Sequence, residues 1–454
     1  MEMVLEFLRD VLSQPALLIG IMSCIGLIAL KRPFHKVMTG TLKPILGYLM
    51  LAAGAGVIVN NLDPLGKMIE HGFHITGVVP NNEAIVAVAQ KVLGVETMSI
   101  LVVGLLMNLC IARFTKFKYV FLTGHHSLFM ACLMSAVLGT AGLSGMELIL
   151  VGGFLMGAWS AISPAIGQSY TSKVTDGDEI AIGHFGSLGY YLSAWVAQYV
   201  GKAEDSTEDI EIPEKWGFLR DSTLSTALTM IVFYLIAAIA AGSEFVSTLS
   251  GDMSPYLYAV MSAMNFAVGV TIVYSGVRMI LGDLIPAFQG IATKIIPNAI
   301  PAVDCAVFFT YAPTAVVLGF ISSFIGGIIG MLILGAVGGV LIIPGLVPHF
   351  FCGATAGIYG NATGGRRGAA VGAFLNGLAI TFLPALALPV LGQLGFQNTT
   401  FGDADFAVMG LVLGHAFEWI GMAGIYGIVA IAALVLIIPN FIKTKGKVIN
   451  YVEE

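Results

Sequence analysis

The chain has 454 residues, of which 57% are hydrophobic and 11% charged, with a net charge of −6. Soluble domains carry about 25% charged residues, so a water-facing globular surface is under-supplied here, and apolar runs recurring along the whole length exclude a single lipid anchor on a soluble domain. Much of the negative charge comes from one loop and says little about partners; no basic patch suited to nucleic acid is present.

A helix needs about 20 apolar residues to cross the hydrocarbon core, and only helices and closed barrels satisfy their backbone there. The runs are continuous rather than alternating, which predicts an all-α polytopic membrane protein of about eleven spans with re-entrant hairpins. The first span is predicted over 15–30 and ends at Lys31, Arg32, His35 and Lys36. No small-residue cleavage site follows it, so it reads as a span and not a signal peptide. The second span covers 37–60, and the polar-interrupted stretch 61–95 reads as an external loop or a re-entrant piece. Spans follow near 96–112, 119–140 and 146–169, then a turn, TSKVTDGDE, and an amphipathic segment over 181–200 that could dip into the membrane and return. The mixed-charge loop 201–221 is predicted to be a hydrated cytoplasmic connector joining a first half, 1–200, to a second half, 222–454.

Beyond it, spans are expected near 222–243, 256–279, 319–344, 345–362, 368–393 and 406–440. The stretch 280–318, which holds Pro286, Pro297, Pro301 and Pro313, is too interrupted for one plain span. Basic clusters at Arg113, Lys116 and Lys118, at Lys173, at Arg366 and Arg367, and at Lys443, Lys445 and Lys447 are placed in the cytoplasm by the positive-inside rule. That puts the N-terminus outside and the C-terminus inside, which requires an odd number of crossings. The 56 glycines sit within apolar runs, as helices that approach closely or break near a transport site require. The five cysteines are scattered without ligand spacing and read as small packing residues. A faint echo of 43–52 (KPILGYLMLA) in 278–287 (RMILGDLIPA) raises the possibility of an internal repeat.

Ionisable residues inside apolar segments are costly and mark function by default. Asp304 is the sharpest, lying in AVDCAVFF with no neighbouring cation in sequence; it reads either as an acceptor for a substrate hydroxyl or as a helix cap after Pro301. His184 opens the amphipathic segment, as a substrate contact or as an interfacial histidine. His125 and His126 point about 100° apart on a helix, so one of them at most is expected to face substrate. His415 and Glu418 share a helix face and read as an intrahelical pair. Asn82 and Glu83 lie in the polar break PNNEAIV. Tyr190, Tyr191 and Trp195 read as interfacial anchors. The run GIYGNATGGRRG lacks a nucleotide-binding pattern and reads as a turn between spans. No catalytic residues, metal site or cofactor are expected.

Several stretches resemble the membrane component, enzyme IIC, of the ascorbate-type phosphotransferase family, related to the galactitol type. They are FLTGHH at 121–126, KVTDGDEIAIGH at 173–184, the long run at 276–320, VLIIPGLVPHFF at 340–351 and GGRRGA at 364–369. The resemblance implies eleven spans divided into a dimerising domain and a core domain, and a homodimer in the bacterial inner membrane. It implies a sugar-like substrate such as L-ascorbate, and phosphate relayed from phosphoenolpyruvate through separate IIA and IIB proteins. By motif it makes His125, His184 and Asp304 substrate contacts, with Asn82 and Glu83 near a contributing polar pair. Ascorbate-type members follow the second motif's histidine with glutamines, whereas Phe185 and Gly186 stand here, and Phe129 or Met130 replaces another glutamine. A galactitol or pentitol substrate therefore stays open, as does a proton-coupled secondary transporter on the physics of the histidines and aspartates alone.

Overall fold

Residues 11, 14–74, 77, 78, 80, 82–177, 180–210, 222–392 and 400–441 are described by a computed structural model. Helices dominate it, as the continuous apolar runs require. In chain order they are α1 (Pro15–Ala29), α2 (Phe34–Gly72), α3 (Asn82–Phe114), α4 (Gly124–Thr140), α5 (Gly145–Ile166), α6 (Gln168–Thr175) and α7 (Ser187–Val200). The second half adds α8 (Ser222–Ala241), α9 (Ser243–Ser250), α10 (Pro255–Lys294), α11 (Pro313–Ala336), α12 (Leu346–Gly392), α13 (Ala404–Ile420) and α14 (Met422–Ile437). Among the described residues seven helices are long and apolar enough to span a bilayer, or eight if α8 and α9, bent by 117° at their junction, count as one broken span. The expected count of about eleven requires shorter apolar helices such as α1, α4 and α13 to be added.

Two predicted interruptions are helical. α2 runs on through 61–72, so the polar residues there sit on a helix rather than in a loop, with Lys67 Nζ 2.8 Å from Asp63 one turn away. α10 continues to Lys294 through Pro286; a proline removes one backbone hydrogen bond but need not end a well-packed helix. α2 and α10, which carry the two echoing runs, lie against each other. Their contact is made at glycines: a Cβ on Gly54 would come within 2.7 Å of the Gly269 carbonyl, and one on Gly47 within 2.8 Å of that of Gly276. Small residues at such crossings let membrane helices meet backbone to backbone.

Two helix breaks fall at glycines. The predicted spans 345–362 and 368–393 correspond to α12, whose helical geometry is lost at Gly364 and Gly365, in the stretch read as a turn between them. The run 406–440 forms α13 and α14, which meet at Gly421 with φ +66°.

Three short strands were not foreseen as strands. β1 (Tyr119–Phe121), β2 (Ala181–Ile182) and β3 (Ile300–Val303) form a parallel sheet in the order β1-β3-β2. All three are fully buried. Extended backbone at this depth must find partners for its N–H and C=O groups, and here the strands supply them to one another. Leu122 N donating to Ala302 O at 2.9 Å and Gly183 N donating to Val303 O at 2.7 Å prolong the ladder past the strand ends.

Candidate functional site

Because the strands are parallel, their C-terminal ends lie at one edge of the sheet, and each hands the chain to a polar residue. β1 leads through Leu122 and Thr123 into α4, whose first turn carries His125 and His126. β2 leads through Gly183 to His184, and β3 leads directly to Asp304. Gly183 is required there, since a Cβ would collide with the backbone of Ala302 and Val303 on β3. The fold thus converges three polar motifs that lie far apart in sequence.

Asp304 is the helix cap that one of its two readings expected, and it also borders the site's cavity. It caps the short 3-10 helix Cys305–Thr310, its Oδ1 accepting from Ala306 N at 2.9 Å. Its Oδ2 lies 3.4 Å from His125 Nε2. His125 Nδ1 in turn lies 3.1 Å from the Tyr48 hydroxyl on α2. His126 and His184 are held by backbone donors: Phe185 N points at His126 Nδ1 (3.3 Å) and Gly186 N at His184 Nδ1 (3.2 Å). A backbone N–H only donates, so each Nδ1 is the acceptor and each Nε2 carries the ring proton. With Nδ1 the acceptor, the Tyr190 hydroxyl, 2.8 Å from His184 Nδ1, is the donor of that pair. The His126 and His184 rings lie 3.8 Å apart, centroid to centroid.

A second carboxylate joins them. Asp403 precedes α13 and accepts from Cys352 Sγ on α12 (2.7 Å) and from Asn82 Nδ2 on α3 (2.5 Å). Asn82 Oδ1 accepts from Gly402 N at 2.9 Å, which fixes which end of the amide faces Asp403. Behind the site, Asp405 ties α13 to the His184 turn. Its carboxylate accepts from Ser187 Oγ (2.8 Å), Leu188 N (2.9 Å) and Trp159 Nε1 (3.2 Å), while its own N–H donates to Phe185 O (2.9 Å).

These groups border one cavity of about 1210 Å³, which His125, His126, His184, Asp304, Asp403 and Asn82 reach, and which continues along α2 past Asp63, Lys67 and Glu70. Apolar side chains such as Phe129 and Phe351 form much of the remaining wall. A few convergent polar groups in an otherwise apolar pocket are the usual make-up of a small-molecule site. Two groups of side chains, His125, His126 and Asp304, and His184, Cys352 and Asp403, each bring potential cation ligands within 4.8 Å of one another.

Of the residues singled out in the sequence, His125, His184, Asp304 and Asn82 meet at this cavity; the side chain of Glu83 lies outside the described residues. His125 and His126, on the first turn of α4, both border the cavity, His126 being the more deeply buried of the two. Tyr190 and Tyr191 are buried and hydrogen-bonded, to His184 and to Ser163 O, not interfacial anchors. Trp195 is half exposed against Tyr199. His415 and Glu418 form the expected intrahelical pair at 2.9 Å. Asp403, Cys352 and Tyr48 were not foreseen. The acidic pair in the D-A-D run that opens α13 was the available signal for Asp403.

A family model described as "PTS system sugar-specific permease component" (EIIC-GAT) matches residues 10–405. The chain belongs to this family. It is a multi-pass membrane permease component, in keeping with its apolar helices. The permease is similar to the "Ascorbate-specific PTS system EIIC component" of Mycoplasma pneumoniae (strain ATCC 29342 / M129 / Subtype 1), at 26% identity over 417 residues, covering 78% of this chain. It spans 62% of the length of that relative.

Proposed function

We propose that this permease binds L-ascorbate in the cavity at the sheet edge and carries it into the cytoplasm by alternating access, coupled to phosphorylation by separate IIB and IIA proteins. The observation that carries the reading is the convergence of His125, His184 and Asp304, from three distant motifs, on one cavity. The lining suits a hydroxyl-rich solute: carboxylate oxygens accept from its hydroxyls, and imidazole Nε2–H groups donate to its oxygens. The similarity to a protein named as ascorbate-specific supports the choice of solute. Family membership supports the IIA and IIB partners. In this reading the protein is a homodimer in the bacterial inner membrane, with its N-terminus outside, its C-terminus in the cytoplasm, and a dimerising domain beside the core that holds the site.

Labelled ascorbate uptake by membrane vesicles tests this. Uptake should require phosphoenolpyruvate with IIA and IIB proteins, and accumulation that ignores them but collapses with an uncoupler would replace it with proton coupling. One observation favours a second solute class. Phe185 and Gly186 stand beside His184, and the carboxylates of Asp304 and Asp403 border the cavity next to it, a lining richer in acceptors that suits an uncharged polyol. Titration of the purified protein separates the two: galactitol or pentitol binding without ascorbate binding selects the polyol.

A further inference from the structure

We propose that Asp403 and His184 form a second hydroxyl-binding subsite, paired with that of Asp304 and His125, so that the cavity recognises two hydroxyls of its solute. The inference rests on the substrate-site reading above and deepens it.

Asp403 stands at the N-cap position of α13, where an aspartate ordinarily accepts from the helix's free N–H groups and contributes about 1 kcal/mol. It makes no such bond; its side chain is turned to partners on other elements. Those partners are a thiol and an amide, one on each oxygen. Among the described residues no lysine or arginine forms an ion pair with it, although it is only 4% exposed. A carboxylate oxygen accepts about two hydrogen bonds, so each has a direction left, and burying a charge so lightly satisfied is costly unless a further donor arrives. Asn82 cannot rotate to relieve it, because its oxygen is held by Gly402 N.

Donor and acceptor stand close together at both places: ligand atoms of Asp403 and His184 lie within 4.8 Å of one another, and His125 Nε2 lies 3.4 Å from Asp304 Oδ2. One hydroxyl oxygen, with hydrogen bonds of about 2.8 Å, can reach both members of either pair. His126 links the two pairs, its ring 4.8 Å from that of His125 and 3.8 Å from that of His184, centroid to centroid. A solute carrying two hydroxyls on its frame can occupy both, whereas an isolated hydroxyl occupies one.

The test measures equilibrium binding of ascorbate, of galactitol and of analogues of each lacking one hydroxyl, to the full-length wild type and to Asp403→Asn and Asp304→Asn. Losing a hydrogen bond to a charged group should weaken binding by about tenfold to a hundredfold. One deoxy analogue, weaker than its parent on the wild type and on Asp304→Asn, should lose nothing further on Asp403→Asn. A second analogue should show the converse. Purely additive losses, or an Asp403→Asn protein with wild-type affinity, overturn the subsite. If Asp403→Asn does not yield a monodisperse protein, Asp403→Ser, a helix N-cap residue without the carboxylate, carries the same cycle with the same criterion. Binding abolished by a chelator and restored by Zn²⁺ would assign these atoms to a metal instead. A wild type that binds none of the hydroxylated probes would sink the substrate-site reading itself, an outcome distinct from a site that binds but ignores Asp403.

Discussion

Asp304 has two duties that substitutions can separate. Asparagine caps a helix about as well as aspartate, so Asp304→Asn should keep the bond from Ala306 N and the fold while losing the charge that faces His125. Phosphorylation-linked uptake should collapse with an unshifted melting temperature; normal uptake would remove Asp304 from the site. Asp304→Ala loses the cap as well and should cost a further ~1 kcal/mol of stability, visible as a lower melting temperature. Asp405 shows the opposite balance: it holds the His184 turn. Replacing it with alanine strands Trp159 Nε1, Ser187 Oγ and Leu188 N, and unsatisfied buried groups cost about 1–3 kcal/mol each. Thermal unfolding of Asp405→Ala should show a larger loss than either Asp304 variant, and equal stability would mean that water replaces the carboxylate. At this scale the sequence was most legible where a charge stood alone. His125, His184 and Asp304 announce themselves against apolar neighbours. Asp403 did not, because an aspartate just before a helix is an ordinary cap, and only its turned side chain shows otherwise.

Hydropathy located most membrane elements because it measures what a run of residues can bury, and it is blind to backbone conformation within the run. It therefore absorbed β1 into a span and left β2 and β3 as parts of loosely defined segments. A strand of two to four residues is too short for an alternating pattern to emerge. The polar residues of 61–72 and Pro286 misled in the other direction, since tertiary packing sustained helices that local signals would have ended. Glycines were better guides. In α12 the break at Gly365 has φ +57°, and a Cβ there would press on the carbonyls of Lys202 and Asp205. Left-handed backbone costs a non-glycine residue about 1–2 kcal/mol before any collision is counted. Gly365→Ala should lower the melting temperature, with increased protease cleavage near 201–210 as the local readout, and unchanged cleavage would show that the break relaxes freely.

The connector between the halves is more than a hydrated tether over its described part. Glu208 accepts from Thr314 N (3.0 Å) and Ala315 N (3.1 Å) at the start of α11, and Asp205 O accepts from Arg366 N (2.8 Å) just after the break in α12. Asn361 Oδ1 accepts from Thr207 N at 2.8 Å. A carboxylate on free helix N–H groups contributes about 0.5–2 kcal/mol. Glu208→Ala should therefore loosen this fastening, read as faster proteolysis of the connector with solute binding retained; cleavage at the wild-type rate would show that the Asp205 and Asn361 contacts suffice. Charge density marked this segment as polar, but which helix ends it clasps depends on the whole chain having folded.

The sheet edge also constrains how the permease can work. A bar of interstrand hydrogen bonds joins the pieces that carry His125, His184 and Asp304 and holds those side chains together. In the proposed reading the binding groups therefore travel as one block, and the seam that yields runs around it, where helices merely touch, so that the cargo rides with its whole cradle.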